Sequence, residues 1–169
     1  MAGGTGPETL VGERAGDMPT IRLQTQMNAP IEVCFDLERN VEAHCRSVGH
    51  TQERAVAGRT TGCLELGDKI TWEGLHFGLR LRLTVVITEY ERPFRFVDEL
   101  VSGPFRRLKH VHQFAATAEG TLMTDVFQYS VPLGLLGRLA DRLFLRGYLR
   151  RLLSTRNAAL KRVAEAPSG

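Results

Sequence analysis

Two histidines one residue apart, His110 and His112, are the side chains of this 169-residue sequence best suited to chemistry. Histidine titrates near neutrality, so either could move a proton at physiological pH. On an extended strand, residues i and i+2 point the same way about 6.6 Å apart. With Asp125 or His76 added, that pair could hold one metal ion. An HxH spacing alone is a weak metal motif and its neighbours here are apolar, so the expectation is hydrogen-bonded wall histidines with no metal and no cofactor. An acid–base site would use the same pair differently, with Asp125 fixing a tautomer and Tyr129 donating to a developing oxyanion. His110, His112, Asp125 and Tyr129 are therefore the catalytic candidates, for an enolising or dehydrating step.

A succession of long strands must position these groups. Residues 68–77, 79–90, 94–101, 105–116 and 122–132 are strand-like runs, punctuated by Gly78, Arg92-Pro93, Gly103-Pro104 and Glu119-Gly120. If Glu119 and Gly120 form the last turn, Phe114 faces Asp125, His112 faces Phe127 and His110 faces Tyr129. All six then share one side of the sheet. If Phe77 and Gly78 form the first turn, His76 meets Leu79, Trp72 meets Leu83 and Ile70 meets Val85, leaving Arg80, Arg82 and Thr88 on a wet face. The inner wall becomes Ile70, Trp72, His76, Leu79, Leu81, Leu83 and Val85, joined by His110, His112, Phe114, Asp125, Phe127 and Tyr129. An apolar wall with a few converging polar groups is the make-up of a small-molecule cavity, typically about 300–1,000 Å³. A one-residue shift at Pro93 would exchange Asp98 for Glu99 on that wall, and both assignments stay open.

The remaining elements frame the sheet. Residues 21–27 alternate as a half-buried strand, and Asn28 with Pro30 and Glu32 marks a helix start, giving short helices at 31–37 and 39–47. Residues 49–56 suggest a short strand and 57–62 a turn. Residues 133–165 read as a long helix whose apolar stripe changes phase near Gly147, where a bend or break is expected. Its stripe includes Leu149 and Leu153, which would close the cavity, and its opposite face carries Arg150, Arg151, Asn157, Lys161 and Arg162. Between Gly134 and Glu165, eight basic residues stand against Asp141 and Glu165, a balance of +6 in a chain whose net charge is +3. That face is either solvated or makes peripheral contact with an anionic membrane, where each basic group adds about 1 kcal/mol. His44 could cap the cavity entrance, Arg106, Arg107 and Lys109 could meet an acidic ligand head, and Trp72 belongs to the core or stacks on a planar ligand.

With 43% hydrophobic residues the chain suits one domain, residues 19–166, after a disordered leader at 1–18. The leader lacks the charged start and apolar segment of a secretory signal, and the sequence has no apolar run long enough to span a membrane. Cys34, Cys45 and Cys63 are odd in number and form no CxxC pair, which argues for a reducing, cytoplasmic setting. Neither GERAG nor GLLG has the residues of a phosphate loop, and basic residues are not interleaved with aromatics as nucleic-acid binding would want. Oligomeric state stays open.

Strand, two short helices, antiparallel strands and a closing helix make an α+β chain. That order, together with APIEVCFDL, GDKITWEG, GPFRRLKHVHQF and GTLMTDVFQYSVPLGLLGRLADRLF, resembles the bacterial ligand-binding branch of the START-like superfamily (SRPBCC; polyketide cyclase/dehydrase, Bet v 1-like), over residues 20–164. The resemblance implies a helix-grip fold, a curved antiparallel sheet wrapped around a long C-terminal helix. It also implies intracellular binding or carriage of a lipid, isoprenoid, quinone or polyketide-like molecule between sheet and helix. Its alternatives are a cyclase/dehydratase using the same cavity and a membrane-surface-docked quinone or lipid chaperone.

Overall fold

In a computed structural model, residues 18–166 are described; the expected leader lies outside them except for its last residue. Seven antiparallel strands form one sheet in the order β1-β7-β6-β5-β4-β3-β2. They are β1 (Thr20–Met27), β2 (Arg54–Gly58), β3 (Lys69–His76), β4 (Leu79–Glu91), β5 (Arg95–Ser102), β6 (Arg107–Thr117) and β7 (Gly120–Ser130). Helices α1 (Ile31–Glu38) and α2 (Val41–Ser47) follow β1; α3 (Gly134–Ala140), a π-helical turn (Asp141–Leu145) and α4 (Arg146–Ala164) close the chain. The helix-grip fold, with two short helices after the first strand and a C-terminal helix against the sheet, is the one the sequence implies.

Turn chemistry sets the register. Phe77 (φ 53°) and Gly78 (φ 77°) both adopt left-handed conformations, the two-residue turn that suits the twist of a hairpin. Ile70 pairs with Val85, Trp72 with Leu83 and His76 with Leu79, as expected. The β6–β7 hairpin differs: Thr117 pairs with Gly120, so Ala118 and Glu119 make the turn. His112 therefore opposes Asp125, His110 opposes Phe127 and Leu108 opposes Tyr129. Gly120 is needed elsewhere, since a Cβ there would sit 2.3 Å from the Met27 carbonyl oxygen. The displacement is an even number of residues, so every side chain keeps its predicted face. Asp98 pairs with His110 and shares its face, while Glu99 turns outward to Thr88 and Lys109.

Two helix assignments change. Asn28 does not cap α1; its backbone N–H donates to Glu165 Oε1 at 2.8 Å, and α1 begins after Pro30 without a side-chain cap. Asn40 caps α2 instead, its Oδ1 accepting from Ala43 N at 2.8 Å. The expected strand at 49–56 begins as a 3₁₀ turn, Gly49–Thr51. The C-terminal phase change falls in the π-helical turn rather than at Gly147, which lies inside α4. A π turn adds a residue and so rotates the apolar stripe. Tyr129 donates its hydroxyl hydrogen to Asp141 on that turn, and Arg146 donates to the same carboxylate at 3.0 Å.

The α4 stripe also contains surprises. Arg156 and Asn157 are buried, together with Leu149, Leu153 and Leu160. For Asn157 this reverses the expected wet face. Its position, eight residues after Leu149 and four after Leu153, places it on the buried side whatever its polarity. An aromatic core sits between α1 and the sheet, where Phe35 meets Tyr90, Phe96 and Phe114 edge-on at 5.4–5.6 Å.

Candidate functional site

Between the sheet and the α3–α4 segment lies a cavity of about 380 Å³. Its wall is apolar: Trp72, Leu81, Leu83, Val85 and Phe127 from the strands, Phe105 from the turn before β6, and Leu149, Leu152 and Leu153 from α4. Phe77, Leu133 and Phe144 line it while remaining more than half exposed, which marks them as the mouth. His76, His110 and His112 also line it. Ile70, Phe114, Asp125 and Tyr129, expected on the wall, do not. Ile70 and Phe114 are packed into the core, Asp125 is sealed beneath the histidines, and Leu79 stands exposed at the hairpin end.

At the inner end, polar side chains from five elements converge. Glu38 ends α1, Asp98 comes from β5, His110 and His112 from β6, Asp125 from β7, and Arg156 with Asn157 from α4. His112 Nε2 is 3.1 Å from Asp98 Oδ1, and its Nδ1 sits 2.9 Å from Asp125 Oδ1 and 3.2 Å from Glu38 Oε1. His110 Nε2 is 3.1 Å from Asp125 Oδ1, and the two imidazole centroids are 3.9 Å apart. Asn157 Nδ2 donates to Asp125 Oδ2 at 2.6 Å, and Arg156 donates to Glu38.

These contacts drive the two histidines in opposite directions. Burial disfavours a charged His112, yet the carboxyl groups of Asp125, Asp98 and Glu38 outweigh it and hold the imidazole well above its ordinary value. Burial lowers His110, and the charge on His112 lowers it further. Asp125, despite burial, is held well below the usual carboxylate range by hydrogen bonds from both histidines, and Asp98 is lowered in the same way by His112. The two imidazoles side by side at the cavity floor therefore differ in basicity, His112 favouring the proton and His110 the neutral form.

A second polar group lies nearer the entrance. His44 stacks on Trp72 at 4.0 Å and its Nε2 is 2.6 Å from Glu53 Oε1. His76 bonds the Tyr148 hydroxyl at 2.6 Å, and burial lowers its basicity. Lys109 is not at the mouth: it bonds Glu89 at 3.0 Å on the outer face.

Two trios, Asp98–His110–His112 and Glu38–His112–Asp125, bring donor atoms within 4.8 Å of one another, close enough for a metal ion. Arg156 already supplies counter-charge there. Of the catalytic candidates expected from sequence, His110, His112 and Asp125 meet at the floor, while the Tyr129 hydroxyl is committed to Asp141. Burial and that carboxylate push its pKa far up. Sequence reading missed Glu38 and Arg156 and left Asp98 and Glu99 as alternatives, of which Asp98 faces the site; the helical period carried the signal for Arg156, and none fixed Glu38.

A model of the family described as polyketide cyclase / dehydrase and lipid transport matches residues 27–154. No curated protein sequence matches the chain. Among solved structures, a Thermus thermophilus protein is similar at 18% identity and a TM-score of 0.73, covering 89% of this chain and 100% of the other. A Chromobacterium violaceum protein is similar at 14% identity and 0.69, covering 88% and 99%. Ginseng major latex-like protein 151 of Panax ginseng gives 12% and 0.66, again covering 88% and 99%. At such identities these structures share the fold.

Proposed function

The chain belongs to the polyketide cyclase/dehydrase and lipid transport family, and on that premise we propose that it binds and carries a hydrophobic small molecule with one polar end. Family and cavity together support hydrophobic-ligand binding in general; the finer reading rests on the floor. Arg156 Nε and Glu38 Oε2 are buried there with no hydrogen-bond partner among the described residues. Buried polar atoms are nearly always paired, so the open donor on Arg156 and the open acceptor on Glu38, both residues that line the cavity, suit a ligand carbonyl or hydroxyl. An isoprenoid, quinone, lipid or polyketide-like compound would lay its apolar body along Trp72, Leu81, Leu83, Val85, Phe127, Leu149 and Leu153, with His76, His110 and His112 beside its polar parts. Native mass spectrometry of the purified protein tests this. One organic-extractable adduct per chain is the expected result; a chain that carries none and takes up no quinone, fatty acid or aromatic polyketide from a panel would end the reading.

Acid–base catalysis is a second reading, favoured by one observation: His112 and His110 are adjacent and driven apart in basicity, the arrangement of an acid beside a base. Turnover of a captured ligand, lost in His110→Gln while its binding persists, would move the function from carriage to catalysis.

A further inference from the structure

The segment that rims the cavity mouth exposes six large apolar side chains in twelve residues. Leu133, Leu135, Leu136, Leu139, Leu143 and Phe144 are between 55% and 79% exposed. On α3, at 100° per residue, Leu135, Leu136 and Leu139 fall on one arc with Arg138 at its edge, and Leu143 and Arg142 follow on the π-helical turn. Leu133 is held at a φ of 70°, a conformation that leucine rarely adopts, and stands 79% exposed. From Leu133 to Arg151 five arginines face a single acid, Asp141, a balance of +4. Of these, Arg146 is spent on Asp141, while Arg142, Arg150 and Arg151 are exposed.

We propose that this face docks on an anionic bilayer, the leucines entering the acyl boundary and the arginines meeting the headgroups, so that the cavity opens directly onto the membrane. An apolar arc flanked by basic residues is the pattern of an interfacial helix. Charge selects this occupant over a second copy of the chain, since a symmetric pairing would bring the exposed Arg142, Arg150 and Arg151 of both copies together. The contact also differs from the one suggested by the basic stripe of the whole C-terminal helix: Arg156 is buried against Glu38, and Lys161 donates to the Gln26 carbonyl at 2.7 Å. Docking stands apart from what the cavity holds, because Leu135, Leu139 and Leu143 do not line it.

Cosedimentation with phosphatidylcholine vesicles, with and without phosphatidylglycerol, tests the proposal. The wild-type chain should bind the anionic vesicles at least tenfold better than the neutral ones, and less as salt rises. Leu135→Ser/Leu139→Ser/Leu143→Ser should lose at least tenfold in binding to anionic vesicles while keeping its melting temperature and its uptake of the neutral dye Nile red into the cavity. Arg142→Gln/Arg150→Gln/Arg151→Gln should narrow the preference for anionic lipid. The proposal is overturned if the wild-type chain ignores anionic vesicles, if the triple serine variant binds them as well, or if the leucines instead drive a dimer that the variant abolishes.

Discussion

At the inner end of the cavity, Glu38, Asp98, Asp125, His110, His112 and Arg156 are withdrawn from water and held by one another. At the outer end, Leu135, Leu136, Leu139 and Leu143 stand in water. The usual distribution of polar and apolar side chains is reversed at both ends of one hollow. Taking charges out of water costs stability that pairing often does not fully repay, and exposing leucines gains none. Both ends therefore depart from what folding alone would select, and we assign the first to a ligand's polar end and the second to a surface that covers the mouth.

The sharpest way to break that contrast is to remove one charge from the floor. Arg156→Met takes the guanidinium away from Glu38, and loss of one partner of a buried pair costs about 3–5 kcal/mol. For a chain of this size that corresponds to a melting temperature lower by roughly 10 °C, read by circular dichroism. Should Arg156→Met melt like the wild type, the floor is no ionic unit.

His112→Gln comes next, and its effect depends on pH. The folded chain holds the His112 proton more tightly than an unfolded chain, whose histidines titrate near 6.5. Its stabilisation is fully present below about pH 6.5 and fades as pH rises through the folded value. The variant should lose about 3 kcal/mol at pH 6, and the gap should narrow toward pH 9 in urea melts. Asp98 and Asp125 act the other way: their lowered values mean stability that is present above about pH 4 and lost as pH falls below it. A gap that ignores pH would remove His112 from the charge network.

Filling the hollow should cost less. Leu83→Trp places extra volume in the cavity, with an expected penalty of about 1–2 kcal/mol and loss of ligand uptake. The smallest effects belong to the mouth, where each leucine-to-serine change should alter stability by no more than about 0.5 kcal/mol. If the mouth proves as sensitive as the floor, those leucines pack against something in the folded chain.

The two ends also differ in how far the sequence reveals them. The Phe77-Gly78 turn makes the β3–β4 pairing readable residue by residue, because a two-residue hairpin allows one register. At β6–β7 the faces are readable and the partners are not, since Gly120, at a φ of 113°, follows the two turn residues as the first of β7 and also makes the close approach to Met27. Asp98 escapes phasing: parity fails where a strand follows an irregular turn and pairs across a bulge, as β5 does with β4. Arg156 and Asn157 are both legible by period, but polarity put Asn157 on the wet face and left Arg156 unassigned. The phase change before α4 is visible in the leucines, but a π turn leaves no residue signature, and Gly147 draws the break toward itself.

Nile red titration of the wild-type chain and of Leu83→Trp, read by dye emission, tests the central claim most directly. One saturable equivalent should bind to the wild-type chain, with an affinity at least tenfold weaker in the folded variant. Equal affinity in both, or no uptake by the wild-type chain, would contradict a cavity that holds a hydrophobic molecule.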